Sequence, residues 1–475
     1  MLSWKLESSY ASLSESLYSY VSTDTVPSPE WSVFNTSLAE TLGLGSTPDL
    51  EDLSILSGNR PPPQARVYAQ SYAGHQFGHF TILGDGRAAV LGEVLDPQGT
   101  RWDLQLKGSG RTPYSRGGDG KAVLGPMLRE YLIGEYLNAV GIPATRALSV
   151  VLSGESIWRE GYKPGAVLCR VASSHLRVGT FQYAAALSDV DILKSLADYA
   201  IARHYPQIKG VKNPYLSFLD AVGSAQADLV ARWMCTGFVH GVMNTDNVAI
   251  SGQAIDFGPC AFLDTYHSGQ VFSSIDSGGR YAWGQQSAIA AWNHARFAES
   301  LLPLLDKDPE KAIALAQESI ERFNHTMEEQ LTVGFARKLG LTRRQSGDEN
   351  LIAGLLAWME DSKADFTVTF RALTQKAAKL SSSVPLPGAG WLHLWLQRIQ
   401  GEAAPVGIMM AANPRIHPRN RPVQSALDAA EEGDMQPFER LVRSLANPWA
   451  HDATVPELEP SELTEVLPFK TYCGT

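Results

Sequence analysis

The chain has 475 residues, of which 44% are hydrophobic and 19% are charged, so it is long enough to bury a large core. Its 40 basic and 50 acidic residues give a net charge of −10, which argues against general nucleic-acid binding because such binding needs a basic face. No apolar run approaches the roughly 18 residues of a membrane span. The length predicts roughly two to three domains, and we expect neither a nucleic-acid partner nor a membrane.

The cysteines indicate a reducing compartment. They are scattered along the chain and form no CxxC pair, which predicts neither a zinc site nor a disulfide framework. The first twenty residues lack an uninterrupted apolar segment and carry acidic residues that a transit peptide avoids. We therefore expect a cytoplasmic protein.

Residues 1–65 read as an N-terminal extension. They combine a Ser/Tyr-rich start with short helical pieces and end in the proline run Pro61–Pro63. Proline cannot continue a helix, so this run predicts an extended connector. We expect the extension to pack onto the part of the chain that follows it.

Two strand-like segments come next, at residues 80–95 and 100–108, with a turn at residues 96–99 between them. In the second segment, apolar residues alternate with polar ones, so Lys107 is predicted on the face opposite Leu104 and Leu106. Its ammonium group is then free to meet an anion over the sheet.

A glycine turn interrupts the first of these segments. Gly84, Gly86 and Arg87, together with Ala89, also match the relaxed dinucleotide-binding pattern GxGxxG/A. That pattern must open a helix, whereas Ala88–Val94 has the pattern of a returning strand. We therefore favour a turn between antiparallel strands, close to a nucleotide.

Lys107 also begins a glycine-rich stretch, residues 107–124, with five glycines, four basic residues and one acidic residue, Asp119. Glycine lets backbone amides approach an anion closely, and the basic residues supply charge. A Walker A loop is excluded because Ala122 follows Gly120 and Lys121. An exposed flexible loop is the alternative, but the pattern favours triphosphate binding.

The spacing of apolar residues predicts a helix over Val123–Val140, ended by Gly141. Glu130 and Glu135 fall on different sides of it, and one of them can pair with Lys107 as a helix glutamate does in protein kinases. A solvated surface glutamate is the alternative. Strand, glycine turn, strand with lysine and helix with glutamate follow one another in the order of a kinase small lobe.

A later strand-to-helix turn carries Arg170 and Arg177, whose guanidinium groups can converge on a phosphate or serve in surface ion pairs. Residues 189–236 have a helical pattern. From residue 288 the chain is mostly amphipathic helix, with a Pro/Arg-rich break at residues 413–422.

The stretch from Trp233 to Pro259 contains the loop HGVMNTDN and then the triplet DFG. Asn247 and Asp256 offer oxygen ligands of the kind that hard divalent cations prefer, in the order found in kinases. Kinases place their catalytic base five residues before this asparagine, and here that residue is Val242, which cannot accept a proton. Asp246 is the only carboxylate in the loop, and it is a candidate base, a residue that points at the metal or a turn cap.

Several long motifs together resemble the selenoprotein O family, whose bacterial members are called YdiU: YAGHQFGHF, LGDGRAAVLGE, the glycine-rich stretch, HGVMNTDN, DFGP and the closing YCGT. The resemblance covers nearly the whole chain. It implies a protein kinase-like bilobal fold of the α+β class and protein AMPylation, which is transfer of AMP from ATP to Ser, Thr or Tyr hydroxyls with Mg²⁺ or Mn²⁺. In some members UMP comes from UTP. The family binds its nucleotide inverted relative to a kinase.

The resemblance also implies roles for individual residues. Asp246 would be the base, Glu130 would pair with Lys107, and Asn247 and Asp256 would hold the metal. The implied nucleotide-binding residues are Gly84, Gly86, Arg87, Lys107, Asp119, Gly120, Arg170, Arg177 and Asp256.

We accordingly expect an N-terminal extension at 1–65, a small lobe at 66–165, a large-lobe core at 166–287 and a helical C-terminal extension at 288–475. Two other functions stay open. A kinase-like γ-phosphotransferase lacks a base at Val242, and a nucleotide-binding pseudokinase scaffold would not need a complete metal site. Cys473, near the end of the chain, can form a redox switch with Cys260 or simply stay reduced.

Overall fold

The computed structural model describes residues 1–450, 455–459 and 469–472. Within these ranges one large antiparallel sheet comes first along the chain, and most of the helices follow it. This confirms the α+β class and the helical C-terminal part expected from the sequence. No helix of the described ranges is both long and apolar enough to cross a membrane. Cys473 lies outside the described residues.

The sheet contains nine strands from the described part of the chain, and all of its pairings are antiparallel. Their order is β1-β3-β5-β6-β9-β8-β2, with β4 added to β3 and β7 to β9. The strands are β1 (Tyr18–Tyr20), β2 (Glu30–Phe34), β3 (Tyr68–Gln76), β4 (His79–Gly84), β5 (Ala88–Leu95), β6 (Arg101–Lys107), β7 (Ala122–Val123), β8 (Arg146–Trp158) and β9 (Tyr162–Ala172).

The N-terminal extension is part of this sheet. Its strands β1 and β2 occupy the two ends of the strand order, where they pair with β3 and β8. Its helices α1 (Thr36–Thr41) and α2 (Leu50–Leu56) bury their apolar side chains with Leu104 and Leu106 of β6. The sequence predicted packing of this segment but not its strands, because three to five residues carry little periodicity.

The predicted strands and turns near Lys107 are confirmed. Gly84–Arg87 joins β4 to β5 without opening a helix. The turn between β5 and β6 closes through a hydrogen bond from the backbone N–H of Gly99 to the carbonyl of Asp96 at 2.9 Å. Because β6 alternates as predicted, it presents Leu104 and Leu106 to the core and Lys107 to the opposite face.

The helix predicted over Val123–Val140 is α3 (Leu124–Ala139), and Gly141 follows it with a φ of +80°. It is buried on most sides because it lies between the sheet and the C-terminal helix α13 (Asn420–Glu431). The Glu431 carboxylate accepts hydrogen bonds from the Gly125 N–H at 3.2 Å and from Lys163 of β9 at 2.7 Å. The C-terminal extension thus fixes the helix that carries Glu130.

The remaining elements form a mainly helical part. A two-stranded antiparallel sheet, β10 (Phe238–Val239) and β11 (Ala261–Phe262), flanks the HGVMNTDN and DFG motifs. The break predicted at residues 413–422 lies between α12 and α13 but is shorter than predicted, because α13 already begins at Asn420. The helices are α4 (Val178–Ala186), α5 (Val190–His204), α6 (Pro214–Thr236), α7 (Gln286–Leu305), α8 (Pro309–Lys338), α9 (Asp348–Asp361), α10 (Phe366–Ala377), α11 (Ala389–Ile399), α12 (Pro405–Ala412) and α14 (Gln436–Leu445), in addition to α13.

Candidate active site

A lysine and a glutamate meet where β6 ends beside α3. Lys107 Nζ donates a hydrogen bond to Glu130 Oε2 at 2.6 Å and lies 2.7 Å from Asp256 Oδ1. Glu135, five residues further along the helix, instead accepts two hydrogen bonds from Arg146 at 2.8 and 2.6 Å. Of the two glutamates that the sequence left open, Glu130 is the one that contacts Lys107.

Two arginines complete a cluster of cations. Arg170 of β9 donates from Nε to Glu130 Oε1 at 2.7 Å and from Nη2 to Asp256 Oδ1 at 2.5 Å. Arg177 is the N-cap residue of α4, and its Nη1 lies 3.6 Å from Asp256 Oδ2. The two guanidinium groups therefore converge on the DFG carboxylate and are buried, which excludes the alternative of surface ion pairs; their binding to a phosphate stays a prediction.

The HGVMNTDN loop, residues 240–247, is held from several sides. His240 is buried, and its Nε2 lies 2.9 Å from the carbonyl of Ile255, just before the DFG triplet. Asn247 donates from Nδ2 to the carbonyl of Val242 at 3.1 Å, and Arg177 donates to the carbonyl of Asp246 at 2.9 Å. These contacts bring both motifs to the cation cluster.

Asp246 and Asp256 lie in the same cleft but in opposite electrostatic environments. Burial raises the pKa of Asp246 to about 6, and Arg177 only partly opposes this shift. Burial acts in the same direction on Asp256, but Arg170, Lys107 and Arg177 outweigh it and hold the pKa of Asp256 well below its usual value. Such a divergence is typical of a site where one carboxyl group exchanges a proton and the other stays ionised.

Asp246 has a further property that suits a base. It is 9% exposed, and its Oδ1 is buried without a hydrogen-bond partner among the described residues. A buried carboxylate oxygen that lacks a partner is costly, so such atoms usually await a ligand, a water molecule or a proton. One oxygen of Asp246 therefore keeps unused hydrogen-bonding capacity.

The glycine turn and the glycine-rich loop, residues 108–121, pack on each other next to Lys107. A Cβ atom on Gly84 would lie 2.3 Å from the Tyr114 ring, and one on Gly86 would lie 2.8 Å from the Tyr114 carbonyl. Arg87 is half-buried, and its carbonyl accepts a hydrogen bond from the Gly108 N–H at 2.7 Å. The turn thus needs its glycines because the loop approaches it so closely.

Asp119 and Gly120 shape the loop itself. Asp119 forms an ion pair with Arg159 at 2.8 Å and accepts a hydrogen bond from the Lys121 N–H at 2.9 Å. Gly120 has a φ of +71°, and a Cβ atom there would lie 2.1 Å from the Gly110 carbonyl. Neither residue contacts the cation cluster in this structure, so their binding to a nucleotide stays a prediction.

Two residues of the cluster were missed by the sequence reasoning. Asp85 is buried, accepts hydrogen bonds from the Gln70 N–H at 3.0 Å and from Gln105 at 3.1 Å, and lies 3.8 Å from Arg177. Its position between two turn glycines was the available signal. Tyr72, whose ring centroid lies 4.5 Å from the Arg177 guanidinium, carried none, because only the fold brings β3 to α4.

The donor chemistry of the cleft fits a hard divalent cation. Asn247, Asp256 and the unpartnered oxygen of Asp246 are oxygen donors, which Mg²⁺ and Mn²⁺ prefer. The Asp256 side chain is 24% exposed and therefore reachable from the cleft. The described residues include no group of three or more His, Cys, Asp and Glu side chains placed to hold a metal.

The arrangement as a whole matches a protein kinase. A strand lysine paired with a helix glutamate meets a DFG aspartate near an Asn-containing loop, and both the sheet and the helical part contribute residues to the site. The kinase-like arrangement expected from the sequence is confirmed at this site. Val242 is 6% exposed and packs in the core at the position where a kinase carries its base.

Known proteins resemble the chain over almost its whole length. A family model described as protein adenylyltransferase SelO matches residues 1–446. The chain is 48% identical over 480 residues to the protein nucleotidyltransferase YdiU of Bacillus mycoides (strain KBAB4), covering 99% of this chain and 98% of that relative. It is 50% identical over 482 residues to the protein of the same name from Geobacillus kaustophilus (strain HTA426), covering 99% of each.

A solved structure described as ROP2 from Toxoplasma gondii, a virulence factor with a protein-kinase fold and no enzymatic activity, is similar at a TM-score of 0.27 and 9% identity. The match covers 61% of this chain and 87% of that chain, and it is too distant to carry an argument. The family model and the two YdiU relatives decide the assignment. The chain belongs to the protein adenylyltransferase SelO family of protein nucleotidyltransferases.

Proposed function

We propose that the protein transfers AMP from ATP to Ser, Thr or Tyr hydroxyl groups of other proteins and releases pyrophosphate. The observation that carries this proposal is the pair of carboxyl groups in one cleft: Asp246 keeps an unpartnered oxygen, while Asp256 is surrounded by Lys107, Arg170 and Arg177. UTP is an alternative nucleotide, which would give UMP transfer. It fits the same cluster because these cations bind phosphate groups and do not contact the nucleobase.

The chain's own residues account for the steps. Lys107, Arg170 and Arg177 neutralise the β- and γ-phosphates, and the glycine-rich loop adds backbone amides. The acceptor hydroxyl oxygen bonds to the α-phosphorus as the bond from that phosphorus to the bridging oxygen breaks, and both electrons of the broken bond leave with pyrophosphate. Asp246 takes the hydroxyl proton. Preorganised cations around developing charge should supply most of the acceleration.

Asn247 and Asp256 are the residues that would hold Mg²⁺ or Mn²⁺, with Asp246 beside them. A bound divalent cation would polarise the α-phosphate and neutralise charge on the leaving pyrophosphate. Asp256 would hold the cation, and Lys107 and Arg170, which now contact Asp256, would meet phosphate oxygens.

The other two functions are less well supported. The buried Val242 offers no proton acceptor for γ-phosphoryl transfer. A scaffold without catalysis does not need both the contacts of Lys107 with Glu130 and Asp256 and the metal-binding residue type Asn247. The described cysteines Cys169, Cys235 and Cys260 are free thiols, which supports a cytoplasmic location.

The test is incubation of the purified chain with Mg²⁺ and ATP labelled on either the α- or the γ-phosphate, followed by detection of label on protein. We expect label from the α-position only. Asp256→Ala should abolish it, whereas Asp228→Ala, which removes an exposed carboxyl group on α6, should not. Label from the γ-position would identify a kinase, and near wild-type transfer by Asp256→Ala would reject the metal assignment.

A further inference from the structure

The hairpin of β3 and β4 reaches from the sheet to the loop that carries Asp246. The N–H of His75 donates to Thr245 Oγ1 at 2.7 Å, and the N–H of Phe77 donates to Asn244 Oδ1 at 3.1 Å. A Cβ atom on Gly74 would lie only 2.3 Å from Asp246 Oδ1. One strand of the hairpin therefore lies directly against the candidate base.

The tip of the hairpin is fixed in place. Phe77 and Gly78 have φ values of +51° and +91°, so both adopt the positive φ that a two-residue type I′ turn requires. A phenylalanine seldom adopts such a φ. Here its N–H bond to Asn244 and the contact of its ring with Tyr281, at 5.2 Å between centroids, hold it there. The hairpin is thus a rigid platform beside the cleft.

The second strand of this platform has an open edge. Within the described residues β4 pairs with β3 and with no other strand. Phe80 and Ile82 alternate along it and are 47% and 60% exposed, so their side chains project on the same face. An unpaired edge that displays apolar side chains is typical of strands that accept an extended segment of a partner.

A cation that has no carboxylate partner among the described residues lies at the tip. A Cβ atom on Gly78 would be 3.9 Å from Arg280 Nη2, and the Arg280 guanidinium stacks on Trp292 at 4.8 Å. Its Nε is buried and has no hydrogen-bond partner among the described residues, and no carboxylate there forms an ion pair with it. Arg296, on the same tryptophan, is by contrast paired with Glu299 at 2.5 Å.

These features are continuous with one another. The His75 ring contacts both Phe80, at 5.4 Å, and Trp292, at 5.2 Å between centroids, so the apolar edge and the unpaired cation form one surface. A strand added to β4 would lie roughly 10 Å from β3, which is two strand spacings. Gly74, which contacts Asp246, pairs with Thr81 between Phe80 and Ile82, so a segment docked on β4 would lie level with the candidate base.

We propose that β4 is the docking strand for the protein substrate. An extended, acidic segment of the substrate adds to its open edge, places apolar side chains on Phe80 and Ile82, and places a carboxylate on Arg280. This inference rests on the proposed function and deepens it, because it assigns how a hydroxyl-bearing segment is brought to the base.

The first test measures binding alone, without nucleotide or metal. The probe is a fluorescent peptide of alternating valine and glutamate with one central tyrosine, and the readout is anisotropy. We expect the double variant Phe80→Ser/Ile82→Ser to raise the Kd by about tenfold or more, because two apolar contacts are lost. The matched control is Trp158→Ser/Tyr162→Ser, an exposed aromatic pair on the β8–β9 hairpin, which should leave the Kd unchanged.

Two further probes test the strand pairing and the charge on the intact protein. Methylation of alternate backbone nitrogens of the peptide removes its hydrogen-bond donors and should weaken binding as strongly as the double variant. Replacement of glutamate by lysine in the peptide should also weaken binding, and Arg280→Glu should reverse that preference. Equal affinity of the methylated and parent peptides would overturn the inference.

The remaining outcomes separate the docking strand from the proposed function. If the peptide binds at β4 but receives no AMP from α-labelled ATP, the docking strand stands and the proposed function fails. If it receives AMP with the same KM in wild type and in Phe80→Ser/Ile82→Ser, the function stands and the docking strand is refuted. Sedimentation can also show a dimer of the wild-type chain that is lost in the double variant. This would show that a second copy covers this edge, which also refutes the inference.

Discussion

The two glutamates of α3 allow a sharp test of the ion-pair cluster. Glu130 is 5% exposed and binds Lys107 and Arg170, whereas Glu135 and its partner Arg146 are each about one-fifth exposed. Replacement by glutamine keeps the shape of the side chain and removes only the charge. The two variants therefore compare a buried pair and a part-exposed pair on the same helix.

The expected loss of stability is larger for Glu130→Gln than for Glu135→Gln. Removal of one partner from a buried pair costs about 3–5 kcal/mol, because it leaves the other charge buried and uncompensated. In Glu130→Gln, Lys107 and Arg170 would then share Asp256 alone. A fully exposed pair contributes only about 0–1 kcal/mol. Glu135 and Arg146 are about one-fifth exposed and share two hydrogen bonds, so Glu135→Gln should cost more than that but less than Glu130→Gln in free energy of unfolding.

The assay is urea-induced unfolding of both variants and wild type at pH 7.5, together with transfer of α-labelled AMP. Glu130→Gln should unfold at a clearly lower urea concentration. It should also lose most of the AMP transfer, since the glutamate that holds Lys107 in place has lost its charge. Equal stability losses in the two variants, or full transfer by Glu130→Gln, would refute the assignment of Glu130 as the partner that positions Lys107.

Other predictions follow from single contacts. Asp246→Asn should reduce transfer by about 10²–10⁴-fold while ATP binding persists, as measured with α-labelled ATP; a wild-type rate would exclude Asp246 as the base. Gly74→Ala should displace the Asp246 carboxylate and lower transfer by about tenfold or more, whereas Gly390→Ala, which has open space around it, should not. Burial raises the pKa of Asp103, but Arg203 and His175 outweigh this effect and lower the pKa to about 2. The ionised Asp103 should therefore stabilise the folded state by about 2 kcal/mol above about pH 4, and this contribution should disappear as the pH falls towards 2. The urea unfolding midpoints of wild type and Asp103→Asn should accordingly converge as the pH approaches 2.

Much of the site could be predicted from the sequence because its residues lie in local patterns. The alternation of β6 determines the face of Lys107, and the helical spacing of α3 with Gly141 determines where that helix ends. The Asn-to-DFG order and the valine at position 242 identify the kind of chemistry. Each of these features depends on neighbours within a few residues, which is the range over which backbone geometry is set.

Only the tertiary structure decided which charges meet. Glu130 and Glu135 are equally plausible partners of Lys107 along the chain, and packing of α3 between β9 and α13 turns Glu130 towards it. Tyr72 and Gly74 carry no local signal, because they matter through contacts with Arg177 and Asp246, which lie far along the chain from them. The pKa of Asp246 likewise follows from burial by distant segments, which no local pattern of residues encodes.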